Sequence, residues 1–276
     1  MTLQQLRYAV TIADMKSMNK AATELFVSQP ALSNTIHDLE EELQIEIFLR
    51  TNRGIVVTTE GEEFLSYARQ MVELQQMMEE KYMGAAEHKR KFSVSMQHYS
   101  FAVNAFVDLI KKYGGEEYDY NLRETQTYEI IEDVALMKSE IGILYINESN
   151  SVILNKAFRE KELEFTELFT AKPHVFMSRY NPLAGKKGVS WEDLKPYPYL
   201  SFEQGDHNSF YYSEEIFSNV ERPKNIRVRD RATLFNLVIG LNGYTVCSGI
   251  IDEELNGKDI VAVPLKAEGN MHVGYI

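Results

Sequence analysis

Apolar positions in the first part of the chain recur at helical spacing. Leu3, Leu6, Ala9, Val10 and Ala13 lie three and four apart and predict an amphipathic helix to about Met15. Ser17 is placed to cap a short second helix with Ala21, Ala22, Leu25 and Phe26 inward. Val27-Ser28-Gln29-Pro30 then makes a tight turn. Ser28 caps a third helix running from Gln29 to about Leu43, and Pro30 falls in its first turn, where a missing N–H costs nothing. Ala31, Leu32, Ile36, Leu39 and Leu43 are its expected inner face, with Gln29, Pro30, Ser33, Asn34 and His37 on or near the other. Two short helices joined by a tight turn predict a helix-turn-helix, its second helix sized for the major groove. Residues 47–58 read as a β-hairpin with Asn52-Arg53-Gly54 at its tip, a wing carrying Arg50 and Arg53 toward phosphate or the minor groove.

A long helix follows. Thr59-Glu60-Gly61-Glu62 fits a capping box. Phe64, Tyr67, Met71, Leu74 and Met78 then step as a heptad seam. About 27 helical residues reach roughly 40 Å, too long a stripe for a sixty-residue domain to bury alone, so the seam predicts dimerisation. Residues 84–91 are small, then basic, and read as a linker.

From Lys91 onward short β-branched or aromatic runs alternate with helical stretches, an α/β pattern with a largely parallel sheet. Strands are expected at 92–97, 122–125 and 141–146, with helices at 102–113 and 128–138, in a first lobe. The chain is expected to cross near 161–165 into a second lobe. That lobe would hold strands around 174–177, 199–201, 226–228, 244–247 and 260–263, and helices around 210–217 and 233–241. It would return near 264–269, and residues 271–276 would rejoin the first lobe. The expected domains are therefore 1–58, a linker helix over 59–87, and a two-lobed domain over 91–276. Its first lobe is about 91–161 with 269–276, and its second about 162–268.

Composition narrows the function classes. With 44% hydrophobic and 25% charged residues the 276-residue chain is of ordinary globular make-up, and no apolar run approaches the ~20 residues of a membrane helix. The N-terminus lacks the layout of a signal peptide and there is one cysteine, Cys247, so a reducing cytoplasm is expected. The net charge of −12 argues, taken alone, against a nucleic-acid partner, and residues 1–58 carry five cations against seven acids, 5 − 7 = −2. The order of parts outweighs that count.

The run Ala21-Ala22, Leu25-Phe26-Val27-Ser28-Gln29-Pro30-Ala31-Leu32-Ser33, Ile36, Leu39-Glu40-Glu41-Glu42-Leu43, Phe48, Arg50, Thr58 and Gly61 resembles the winged helix-turn-helix of LysR-type transcriptional regulators. The likeness covers about residues 3–65 without a gap; beyond it the chain is similar to the family in architecture only. The resemblance implies a multi-domain fold: a winged helix-turn-helix, a linker helix paired antiparallel with that of a second copy, and a periplasmic-binding-protein-like effector domain. It implies that Ser28, Gln29, Pro30, Ser33, Asn34 and His37 face promoter DNA, with Arg50 and Arg53 on its backbone. Asn34 and His37 stand where the family often carries Arg or Lys, which implies fewer phosphate contacts.

In the two-lobed domain, strand ends that open into helix N-termini are the candidate effector positions, because free N–H groups there attract anions. These are Tyr99 and Ser100, then Gln126 and Thr127, the loop residues Ser201, Glu203, Gln204 and His207, and Cys247 at a further strand end. No cofactor or metal is expected, only a small organic anion as effector. His37, His88, His98, His174, His207 and His272 show no metal spacing, and there is no phosphate loop, dinucleotide signature or nucleophile elbow. Cys247 reads as a buried thiol, and one cysteine cannot make an internal disulfide switch. The reading is a homodimeric or tetrameric, effector-controlled, non-enzymatic regulator that engages RNA polymerase if it activates. The alternatives are an α/β enzyme with a fused helical module and an effector-independent DNA-binding protein.

Overall fold

The computed structural model describes residues 1–51, 54–83, 90–207, 209–251 and 258–276. The expected hairpin tip at Asn52 and Arg53, and most of the linker, lie outside the described residues. The chain divides into two compact units, 1–88 and 89–276.

The first unit runs α1 (Leu3–Met15), α2 (Met18–Glu24), α3 (Gln29–Leu43), β1 (Phe48–Thr51), β2 (Gly54–Val57) and α4 (Thr59–Met83). Its helix starts are fixed locally. Thr2 and Gln5 form a reciprocal capping box on α1, and the Ser17 and Ser28 hydroxyls accept the N3 N–H of α2 and α3. Ala9, Ile12, Ala21, Leu32, Ile36, Leu39, Ile47 and Leu65 form the core.

Four expectations are corrected here. Phe26 is 96% exposed rather than inward. It adopts φ +55° as α2 ends, and the Val27 N–H reaches back to Ala22 O, which turns Val27 inward and Phe26 out. Ala31 is exposed, on the outer face of α3. The α4 cap is Thr58, not Thr59: its hydroxyl accepts the Gly61 N–H at 2.8 Å. Gly61 sits so close under the hairpin that a Cβ would fall 2.4 Å from Ile47 O. Phe64 packs against the core of its own domain instead of standing in the free seam.

The second unit holds two sheets. The first lobe contributes β3 (Arg90–Met96), α5 (Ser100–Tyr113), β4 (Tyr118–Glu124), α6 (Thr127–Ala135), β5 (Ile141–Ile146), α7 (Ser151–Glu160) and β6 (Thr166–Ala171). The second contributes β7 (His174–Ser178), α8 (Trp191–Leu194), β8 (Tyr199–Phe202), β9 (Asn225–Val228), α9 (Arg231–Gly240), β10 (Tyr244–Cys247) and β11 (Ile260–Pro264) before β12 (Met271–Tyr275) returns to the first. The strand orders are β4-β3-β5-β12-β6 and β11-β7-β10-β8-β9. Around β3 and β8 the pairing is parallel, but β12 and β7 run antiparallel to both of their neighbours, so each sheet is mixed rather than largely parallel.

The crossing lies later than the sequence suggests. Residues 166–171, expected beyond it and without a strand, form β6, which pairs with β12 as the edge of the first sheet, so the chain changes lobe after Ala171. The returning strand needs a partner on its outer side, and β6 supplies it. Residues 210–217 form turns instead of a helix, with Phe217 at φ +63°. Met96, Tyr145, Met271 and Val273 pack in one cluster with Val175, Met177, Tyr199 and Val246, so the two sheets share a core.

Candidate DNA-binding face and ligand cleft

The outer face of α3 carries Pro30, Asn34, His37 and Glu41 at spacings of four, three and four. Pro30, Asn34 and His37 are exposed, as is Ser28 in the cap position; Gln29 and Ser33 are half-buried. His37 Nε2 lies 3.4 Å from Glu41 on the same face. Glu40 points the other way, and its Oε1 accepts the N–H groups of Ile47 (2.8 Å) and Phe48 (3.0 Å), tying the hairpin to the helix. Arg50 lies in β1, opposite Ile55.

Between the lobes the strand ends converge on a cavity of about 40 Å³, lined by His98, Tyr99 and Ser100 from the first lobe and by Phe202, Glu214, Glu215, Arg231, Thr245 and Cys247 from the second. Helix α5 opens onto it with no side-chain cap. The Ser100 hydroxyl, in a residue only 4% exposed, has no hydrogen-bond partner, and neither has that of Thr245. Among the described residues, three polar contacts bridge the lobes here. Glu214 accepts the His98 backbone N–H at 2.9 Å and meets its Nδ1 at 2.9 Å. Gln204 Oε1 accepts the Thr127 N–H at 3.0 Å. Arg231 lies 3.0 Å from Glu124, close enough for an ion pair but outside hydrogen-bond geometry.

The helix-turn-helix unit and the two-lobed unit are each matched by a family model. One, described as bacterial regulatory helix-turn-helix protein, lysR family, covers residues 3–62. The other, the LysR substrate binding domain, covers residues 100–276. The chain belongs to the LysR family.

Like its relatives, this LysR-family chain is a DNA-binding transcriptional regulator with an effector-binding domain, not an enzyme. It is 27% identical over 264 residues to the HTH-type transcriptional regulator CysL of Bacillus subtilis, covering 92% of this chain and 83% of that one. It is also 27% identical over 274 residues to the RuBisCO operon transcriptional regulator of Allochromatium vinosum, covering 96% and 85%. Among solved structures a full-length OxyR variant from Pseudomonas aeruginosa matches with TM-score 0.70 at 20% identity, over 100% of this chain and 88% of that one. Full-length CbnR complexed with its target DNA matches at 0.57 and 18%, over 100% and 92%. These likenesses show the fold.

Of the expected effector positions in this LysR-family cleft, Tyr99, Ser100 and Cys247 line the cavity. Thr127 does not: it is 1% exposed, its hydroxyl accepts Gln97 Nε2 at 2.6 Å, and its N–H is taken by Gln204. Gln204 itself is a bridging residue. Ser201 lies on the opposite face of β8 from the cleft-lining Phe202. Glu203 pairs with Arg229 at the surface, and the His207 ring stacks 3.5 Å from that of Tyr128. Gln126 caps the start of α6 by position only, and its amide packs against Gly205.

The sequence reading missed the charged residues of the cleft. Burial alone would push the His98 imidazole down, but the adjacent Glu214 carboxylate outweighs it and raises the pKa. Burial, then repulsion from Glu214, pushes the Glu215 carboxyl up to about 8. Glu124 is also raised by burial, against the pull of Arg231. Burial pushes the Cys247 thiol up, away from reactivity. One sequence signal existed. Glu214-Glu215 stands inside the apolar run Phe210-Tyr211-Tyr212 to Ile216-Phe217, and two acids within such a run mark buried charge.

Proposed function

We propose that a small organic anion, bound in the inter-lobe cleft, controls promoter binding or activation by this regulator. The observation that carries this is the Ser100 hydroxyl, buried and unpartnered at the uncapped N-terminus of the 14-residue α5. Free N–H groups and the helix dipole there favour negative charge. Arg231 and a protonated Glu215 supply further donors on the opposite lobe. The effector competes with the His98–Glu214 and Thr127–Gln204 contacts, so it acts by shifting the population of lobe arrangements.

The exposed stripe of α4, Tyr67, Met71, Leu74 and Met78, supports a homodimer or a dimer of dimers. Met71, Leu74, Met78 and Tyr82 line, with Leu3, an apolar groove of about 440 Å³ that a second copy would fill. RNA polymerase is the further partner where the output is activation, and the site of action is the cytoplasm. No described helix is long and apolar enough to cross a membrane. The test is operator binding with a panel of carboxylate metabolites. Ser100→Val, which keeps the volume and removes the hydroxyl, leaves DNA binding intact and lowers the effector response at least tenfold. An unaltered dose response removes the cleft from consideration.

A further inference from the structure

A polar cavity larger than that of the cleft lies elsewhere in the effector domain. It measures about 290 Å³ and lies within the second lobe, behind Glu215. Its construction follows from strand alternation. Tyr199 pairs with Asn225 and Ser201 with Arg227 across the parallel β8–β9 ladder, so the four side chains share one face. The other face, with Leu200, Ile226 and Val228, packs into the lobe's apolar core. The polar face is covered by residues 209–222, and all four of its side chains line the cavity.

Three polar atoms of residues that line this space are buried without hydrogen-bond partners among the described residues: Tyr199 Oη, Glu215 Oε2 and Arg222 Nε. The residues are only 4%, 3% and 8% exposed. Leaving such groups unpaired destabilises the fold, most of all a charged one. Arg222 is held for a purpose its protein contacts do not exhaust. Its two terminal nitrogens donate to the carbonyls of Val220 (2.8 Å) and Phe217 (2.9 Å). Its plane lies over the rings of Tyr199 (3.8 Å) and Trp191 (5.2 Å). It also approaches the Tyr244 phenol closely enough to counter the rise that burial gives it. No carboxylate of the described residues forms a salt bridge with it, and Nε–H remains for a further acceptor.

We propose that this cavity is a second ligand site, taking a small carboxylate whose oxygens accept from Arg222 Nε–H and from the Tyr199 hydroxyl. Two carboxylate oxygens match a short row of single donors around one buried cation. A phosphate dianion would need more donors and a second buried charge. Arg227 and Glu221, both exposed, also line the cavity, so its rim carries one charge of each sign and Arg222 is the buried cation. Glu215 also lines the inter-lobe cavity, so occupation of one space is felt by a carboxyl bordering the other.

Trp191 is the only tryptophan of the chain and lies beside Arg222, so its emission reads the site directly. Malonate and succinate are titrated into the full chain at pH 7 and constant ionic strength, to about 50 mM, beyond the millimolar affinities expected of small ligands. A saturable emission change is expected with at least one of the two. Tyr199→Phe removes a hydroxyl that bonds to nothing in the protein, so it leaves the fold intact and weakens binding about five- to tenfold, as loss of one hydrogen bond does. Ser201→Leu fills the space and abolishes the change. Ser100→Val, in the cleft, leaves it unaltered. Loss of the response in Ser100→Val would place the carboxylate between the lobes and overturn the proposal. So would an equal response to chloride or phosphate, binding unaffected by both Tyr199→Phe and Ser201→Leu, or the lack of any saturable change.

Discussion

Glu215→Gln should stabilise the effector domain in alkaline solution and remove most of its pH dependence. The carboxyl is 3% exposed, accepts the Phe202 N–H at 2.8 Å and has a pKa of about 8 against 4.5 when unfolded. A group whose folded pKa is raised contributes stability that is fully present below the unfolded value and is lost as pH rises through the folded one. Holding the acid neutral therefore costs the folded state about 1 kcal/mol at pH 5 and about 4 kcal/mol at pH 8. The difference, about 3 to 4 kcal/mol, corresponds to a fall of roughly 7–14 °C in the unfolding midpoint of a domain of this size. His98 and Glu124, both also raised, act in the same direction. The lowered carboxylates Asp193, Asp230 and Glu167 act only below their unfolded values of 3.8 to 4.5, outside this window. Glutamine keeps the acceptor for Phe202 N–H and cannot ionise. The assay is thermal unfolding of the parent and Glu215→Gln between pH 5 and pH 8. Parallel curves for the two proteins would refute the assignment of a neutral buried acid at this position.

Other outcomes follow from the same geometry. Asn34→Asp with His37→Glu places two negative charges on the exposed face of α3. Operator affinity should drop at least a hundredfold in gel-shift titration at fixed salt, with the unfolding midpoint unchanged. Phe26→Asn should raise the stability of the first domain by about 1 kcal/mol in urea, because asparagine tolerates the left-handed backbone better and the ring is exposed. Met71→Glu with Leu74→Lys puts charge into the apolar groove of α4 and should yield monomers by sedimentation; an unaltered oligomer would locate the interface elsewhere.

The DNA-binding half was legible because its signals are local. Ser17, Ser28 and Pro30 act within one turn of their own positions, and Leu32, Ile36 and Leu39 report the buried face by spacing alone. Phe26 was misread because amphipathic spacing counts an aromatic residue as core, whereas the helix end had already turned the backbone. The α/β alternation of the second half is equally visible, yet it places residues 166–171 in the second lobe and announces no strand there. Its place depends on β12, about a hundred residues later, which no local pattern announces. The cleft was half legible. Ser100 was found because strand–helix junctions are readable in sequence. Glu214, Arg231 and Glu124 were not, since each owes its role to a partner on the opposite lobe. Thr127 was overvalued for the converse reason: Gln97 and Gln204 claim it, and neither is its neighbour in the chain.

The Glu40 carboxylate, bonded to the first two N–H groups of the hairpin, makes helix and wing a single ruler. The register of helix and wing is then set by that side chain together with the packing of Ile47, Phe48, Ile55 and Val57 on the core, not by whatever the outer face happens to carry. On the reading that this outer face meets DNA, substitution at Pro30, Asn34 or His37 would respell the sequence that is read without altering that register. A chain built this way acquires new target sites by changing letters, while the distance between its two points of contact stays inherited.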